Sequence, residues 1–244
     1  MAEAALAPAA KAAERVENGF GAATAAVRRT MVERQLRTYD VTDVPVLQRF
    51  LDVPREAFLP GELAPLAYSD KAVSLNGSES GKARALLAPL VLARFLQGAE
   101  IREHERVLVV GGAGYSAALL AGLAREVVAL ECDPVFAERA KEALKAVGAD
   151  GVRVETGPLE KGCPAAAPYD AILVEGAVET GLDALFAQLT PDGRLLAIET
   201  AAGGGGQQAM RYARVDGKPA GKRSLFDASA PTLPGFETPA AFAF

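Results

Sequence analysis

Three short apolar runs punctuate the middle of the chain: VLVV at Val107–Val110, VVAL at Val127–Leu130 and AILV at Ala171–Val174. Runs of this length, bounded by Gly, Asp or charged residues, read as strands buried on both faces, the usual state in a parallel sheet. Extended to their punctuation, they and their neighbours predict strands over 106–110, 126–131, 151–155, 170–175 and 193–199. Helical spacing in between predicts helices over 115–124, 134–147 and 179–189. Strand and helix alternate, so the expected fold class is α/β: doubly wound and mostly parallel, with helices on both faces. Residues 210–215 and 222–226 predict a terminal antiparallel pair.

The pattern upstream is helical. From Ala9 to Leu36, Val16, Phe20, Ala23, Val27 and Met31 recur on one face. Val41-Thr42-Asp43 opens a second helix that ends near Pro54, and RALLAPLVLARFLQ (84–97) reads as an apolar helix with a kink or a late start at Pro89. The expected organisation is an N-terminal helical extension over 1–43, a main domain over 44–228 and an extended tail over 229–244 anchored by Phe236, Phe242 and Phe244. The helical stripe and the phenylalanine tail are apolar groups added to a domain that already has a core. Either they fold back or they meet another chain. The thin stripe lies mostly ahead of the domain, so we expect at least one of the two, helix 9–36 or the tail, to meet a protein partner or a second copy.

The candidate chemistry lies in Arg106–Pro134, RVLVVGGAGYSAALLAGLAREVVALECDP. Gly111, Gly112 and Gly114 fall at a strand-to-helix turn, and Glu131 stands at the tip of the next strand, where an acid can bond the ribose hydroxyls of a nucleotide. The unit suits S-adenosylmethionine or a dinucleotide. Gly112-Ala113-Gly114-Tyr115-Ser116-Ala117 also fits the looser G-x-G-x-x-A of nicotinamide binders. The plain alternative is a turn that serves helix packing alone.

Composition narrows this further. The 244 residues carry a net charge of −5 and half of them are apolar. No basic patch points to nucleic acid, and no apolar run is long enough to span a membrane. Cys132 and Cys163 have neither disulfide nor metal spacing, so no metal site is expected. His104, the only histidine, sits in a charged turn, which argues against a Ser-His-Asp or Cys-His mechanism. No targeting segment is evident, and a cytoplasmic location is expected.

From Met31 to Ile198 the chain resembles the protein-L-isoaspartate O-methyltransferase family. The resemblance rests on VPREAFLP followed by AYSD, then LLAPLVLARFLQ, VLVVGGAGYSAALLAGL, VVALECDP, YDAILVEGA and QLTPDGRLLAIE in the family's order. It implies a seven-stranded, Rossmann-like methyltransferase sheet, S-adenosylmethionine as cofactor and methyl transfer to a carboxylate of a protein substrate. It also implies that Gly111, Gly112, Gly114, Tyr115, Glu131, Cys132, Glu175 and Gly176 line the cofactor site.

Four places depart from the family's pattern. Val109 stands where the family's first strand carries an acid, and the glycine turn is shortened to Gly111-Gly112-Ala113-Gly114. Gly157-Pro158 replaces a Gly-Asp pair, and ARALLAP (83–89) replaces GQTISQP, with Ala85 and Leu87 in place of hydroxyl residues. Each lost buried hydrogen bond weakens binding by about 1–3 kcal/mol, which predicts weak or lost cofactor affinity. Ser78 and Ser80 are the nearest hydroxyls that remain for a substrate. The alternative is a degenerate methyltransferase fold that serves as an interaction or structural subunit.

Overall fold

The computed structural model describes residues 21–75, 84–201, 206–216 and 218–238. The apolar runs form the centre of a sheet, with Val107–Val110 and Ala171–Val174 fully buried. Its strands are β3 (Arg106–Val110), β4 (Glu126–Glu131), β5 (Arg153–Thr156), β6 (Tyr169–Val178), β7 (Leu189–Thr200), β8 (Gln207–Val215) and β9 (Lys218–Asp227), in the order β5-β4-β3-β6-β7-β8-β9. The first five are parallel, and β8 and β9 are antiparallel. The chain winds outward from β3 to β5, then crosses back to β6 beside β3. The β3/β6 boundary is therefore a topological switch point, where such sheets open a crevice at their carboxyl ends.

Alternation along the strands divides the core. Val107, Val109, Ala171 and Leu173 face one side, with Phe50, Phe95 and Tyr115. Leu108, Val110, Ile172 and Val174 face the other, with Leu159, Leu185 and Phe236. The first side is covered by α1 (Ala22–Met31), α2 (Val44–Asp52) and α3 (Pro89–Ala99). The Asp43 side chain caps α2 by accepting from the Val46 amide at 3.0 Å. Among the described residues no helix is long and apolar enough to cross a membrane.

Several boundaries move for identifiable reasons. Residues 84–86 do not continue α3. They form β2 (Arg84–Leu86), antiparallel to β1 (Val73–Leu75), and Pro89 takes the first turn of the helix, where its missing N–H costs nothing. The helix predicted over 115–124 is α4 (Tyr115–Leu120); Arg49 stops it by donating to the Ala118 and Leu119 carbonyls at 2.9 and 3.0 Å. The helix predicted over 179–189 shrinks to α6 (Asp183–Phe186), because β6 runs on to Val178 and Gly181 turns at φ +90°. Between β4 and β5 lies α5 (Pro134–Ala146).

The N-terminal stripe is rotated from its predicted face. Val27 is 51% exposed and Ala23 is exposed, whereas Arg28, Met31, Val32 and Leu36 are buried. Arg28 turns inward because its Nε donates to the Leu51 carbonyl at 2.7 Å, one of the carbonyls that the end of α2 leaves open. The π-helical turn over Val32–Leu36 then carries the buried face onward. This part of the helix packs on its own domain, and so does the tail as far as Phe236, which is fully buried. The expectation of a partner gains no support from these residues. Val16, Phe20, Phe242 and Phe244 lie outside the described residues.

Candidate functional site

The turn after β3 holds four consecutive residues at positive φ: Gly111 (+77°), Gly112 (+86°), Ala113 (+50°) and Gly114 (+91°). Packing as well as backbone demands glycine here. A Cβ on Gly112 would fall on Glu175 Oε2, and one on Gly114 would come within 2.9 Å of the Ala140 methyl. Ala113 alone carries a side chain in this left-handed stretch, a conformation that costs an L-residue about 1 kcal/mol.

Glu131 closes the neighbouring tip. Its Oε1 accepts from Arg84 Nη2 at 2.5 Å, from the Cys132 amide at 2.8 Å and from the Asp133 amide at 3.4 Å. Its Oε2 is buried without a partner. Arg84 reaches in from β2 and also donates to Cys132 Sγ at 2.9 Å; its Nε and Nη1 stay unpaired. Burial is the chief cause that raises the Cys132 thiol above its ordinary pKa. Gly157, at the end of β5, donates to the Glu131 carbonyl at 3.0 Å. Pro158 follows and has no N–H to offer.

Beneath the turn lies a second polar group. Glu175, on the same sheet face as Val109, is buried; desolvation raises its carboxyl to about 7, against the opposing pull of the Ser116 hydroxyl and the Arg55 charge. Arg55 is wholly buried, stacks over the Tyr115 ring at 5.0 Å and donates from Nη2 to the Leu87 carbonyl at 2.7 Å. Burial pulls its pKa down. Tyr115 is itself enclosed by Phe50 and Phe58, so it supports the turn from below rather than lining a cleft. Close by, Tyr68 donates its hydroxyl to Glu56 and accepts from Arg28 Nη1 at 3.4 Å.

The far lip is shaped by the tail. The Leu233 amide donates to the Ala177 carbonyl at 3.0 Å, and the Ala177 amide to the Pro231 carbonyl at 2.9 Å. This seats the Leu233 side chain between Gly111 and Gly176, and a Cβ on Gly176 would strike it.

Gly111, Gly112, Gly114, Glu131, Cys132, Glu175 and Gly176 thus gather at the carboxyl tips of β3, β4 and β6. Ser78 and Ser80 lie outside the described residues. Ala85 pairs with Ser74 in the hairpin, and Leu87 is buried, offering its carbonyl to Arg55. The sequence reading missed Arg55, Arg84 and Leu233. An arginine beside Pro54 in VPREAFLP was the one available hint, since charged residues seldom punctuate an apolar turn.

A family model described as Protein-L-isoaspartate(D-aspartate) O-methyltransferase (PCMT) matches residues 27–225. The chain belongs to the protein-L-isoaspartate O-methyltransferase family. Similar members include the Protein-L-isoaspartate O-methyltransferase of Methanoculleus marisnigri, 40% identical over 70% of this chain and 76% of that protein. Another is that of Methylorubrum extorquens, 39% identical over 78% and 80%. A solved protein-L-isoaspartate O-methyltransferase superposes with a TM-score of 0.75 at 25% identity, covering 85% of this chain and 66% of that one. A Plasmodium falciparum family member solved with S-adenosyl-L-homocysteine gives 0.69 at 18% identity, over 84% and 97%, and shares the fold. The residues present are compatible with a nucleoside cofactor: a tight turn at which Gly112 and Gly114 leave no room for a side chain lies beside a buried acid with one oxygen unpaired.

Proposed function

We propose that this chain is an S-adenosylmethionine-dependent methyltransferase acting on a protein carboxylate. The observation that carries the reading is the unpaired Oε2 of buried Glu131, beside the positive-φ turn at the switch point. A ribose hydroxyl is the donor that would satisfy it. Gly111, Gly112 and Gly114 let the backbone come close, and Cys132 borders the adenosine. The cofactor supplies an electrophilic methyl group on a sulfonium. Transfer then needs an acceptor oxygen held in line and kept dry, with little acid–base help. Residues on this chain accordingly bind and orient; the unionised form that burial favours in Glu175 is not required for the transfer itself.

Affinity is expected to be modest. Three donors already occupy Glu131 Oε1, so the ribose gains one carboxylate oxygen instead of two. Calorimetry with S-adenosylhomocysteine should give a dissociation constant of roughly 10–500 μM, and Glu131→Ala should weaken it about tenfold. Methyl transfer to an isoaspartyl peptide tests the acceptor. No binding at millimolar nucleoside would overturn the reading.

The second reading is a non-catalytic interaction subunit. Leu233 seated between Gly111 and Gly176, together with the Arg84–Glu131 pair, favours it, because both fill space at the strand tips. Binding of the nucleoside with turnover on any protein carboxylate decides for the first.

A further inference from the structure

A groove far from the glycine turn has apolar walls and an apolar segment of the chain within reach. It is a cavity of about 440 Å³ bounded by Phe186 and Ala187 at the end of α6, Tyr212 on β8, and Gly221 and Lys222 on β9. Phe186 and Tyr212 meet edge to face, with ring centroids 5.2 Å apart. The cations at the rim are engaged. Arg214 Nη1 donates to the Phe186 and Leu189 carbonyls, each at 2.9 Å, and Lys222 Nζ lies 3.0 Å from Glu199 Oε2. The walls therefore suit hydrocarbon and rings rather than a charged ligand.

The tail arrives on this same face of the sheet. Phe236 is fully buried in the cluster against which Phe186 and Tyr212 pack. Two residues further on, the Thr238 amide donates to Glu179 Oε2 at 2.8 Å. Glu179 follows Val178, which pairs with Glu199 on β7, one strand spacing or about 4.8 Å away. Glu199 in turn accepts from the Tyr212 hydroxyl and from Lys222, both of which line the groove. Thr238 thus stops about one strand and one side chain short of the mouth. Residues 239–244, which lie outside the described residues, read Pro-Ala-Ala-Phe-Ala-Phe and carry no charged side chain. Extended from Thr238, the chain reaches about 13 Å to Phe242 and about 20 Å to Phe244.

We propose that this groove is the docking site of the chain's own residues 239–244, with Phe242 and Phe244 entering beside the Phe186–Tyr212 pair. A ring placed there loses its contact with water and gains edge-to-face neighbours. The short tether selects the chain's own groove over that of a second copy, because it holds the tail at a local concentration on the order of millimolar. Docking also fixes the far end of the segment whose Leu233 sits between Gly111 and Gly176.

The chain contains no tryptophan, so Phe242→Trp supplies a single reporter. In the full chain its emission should be blue-shifted, and acrylamide should quench it severalfold less than free N-acetyltryptophanamide, whatever the protein concentration. Ala187→Glu, at an exposed wall of the groove, should return emission and quenching to those of the free indole. Circular dichroism and melting establish that this variant folds; where it does not, Lys222→Glu on the edge strand β9 takes its place with the same expectation. A reporter that is exposed with the groove intact would overturn the proposal. So would a shielded reporter that neither groove variant moves, since the tail would then have docked elsewhere. Shielding that is lost on dilution, with light scattering showing a dimer, would give the groove to a second copy and overturn the intramolecular site.

Discussion

Arg84 Nη2 lies 2.5 Å from Glu131 Oε1, and both side chains are only 4% exposed. The acid at the tip of β4 is thus partly spent on a guanidinium brought in by the β1–β2 hairpin. Removing one partner of a buried pair strands the other, at about 3–5 kcal/mol. Here the Cys132 and Asp133 amides still hold Glu131, which puts the cost toward the low end. Arg84→Gln should lower the melting temperature while raising affinity for S-adenosylhomocysteine severalfold, because Oε1 becomes free for the ribose. Paired melting and calorimetry check both signs. An affinity that falls with stability would mean that Arg84 organises the site rather than competing for it.

Glu175 imposes a pH dependence of known sign. Its folded carboxyl sits at about 7, above the ordinary 4.5, so the folded state holds the extra proton between those values. Stability should therefore fall as pH rises from 4.5 to 7, with the full penalty present above 7. The raised value, which already includes the opposing pull of Arg55, corresponds to about 3 kcal/mol. Glu175→Gln should gain on the wild type at pH 8 relative to pH 5 in urea unfolding. A difference that does not change with pH would show that Glu175 is not buried as an acid.

The sheet and the glycine turn were legible because apolar runs and glycine act locally. VLVV, VVAL and AILV can be little else than doubly covered strands, and Gly111, Gly112, Gly114 and Glu131 follow from their spacing. Arg84 was not legible. RALLAPLVLARFLQ has helical composition throughout, and only pairing with Val73–Leu75 makes its first three residues a strand. Nor was the inward turn of Arg28, since Val27 beside it is the better apolar choice until the open Leu51 carbonyl is in view. Arg55 is buried by contacts far apart in sequence, Leu87 and Tyr115, which no local pattern announces.

The positive-φ turn gives opposite predictions at adjacent positions. Gly112→Ala adds a methyl that falls on Glu175, at φ +86°, and should cost about 2–4 kcal/mol. Ala113→Gly relieves a left-handed residue at φ +50° and should stabilise by up to about 1 kcal/mol, offset by the entropy of a freer unfolded chain. Denaturant melts of the two variants should therefore move in opposite directions. A destabilised Ala113→Gly would show that the Ala113 methyl has a packing role outweighing the strain.

The N-terminal helix offers the last test. Arg28 ties α1 to the end of α2 through the Leu51 carbonyl and reaches the Tyr68 hydroxyl, which in turn serves Glu56. Met31, Val32 and Leu36 then enter the same core as Phe50 and Phe95. Deleting residues 1–30 removes Arg28, leaves Glu56 and Tyr68 without their cation and exposes the side of α2 that the helix covers. We expect a loss of at least about 2 kcal/mol from the stranded buried polar groups alone, seen as a lower melting temperature. The oligomeric state, measured by light scattering before and after, should not change, because the described face of the helix is already turned inward. A shift in mass with unchanged melting would assign the helix to another chain and restore the partner that the sequence pattern alone suggested.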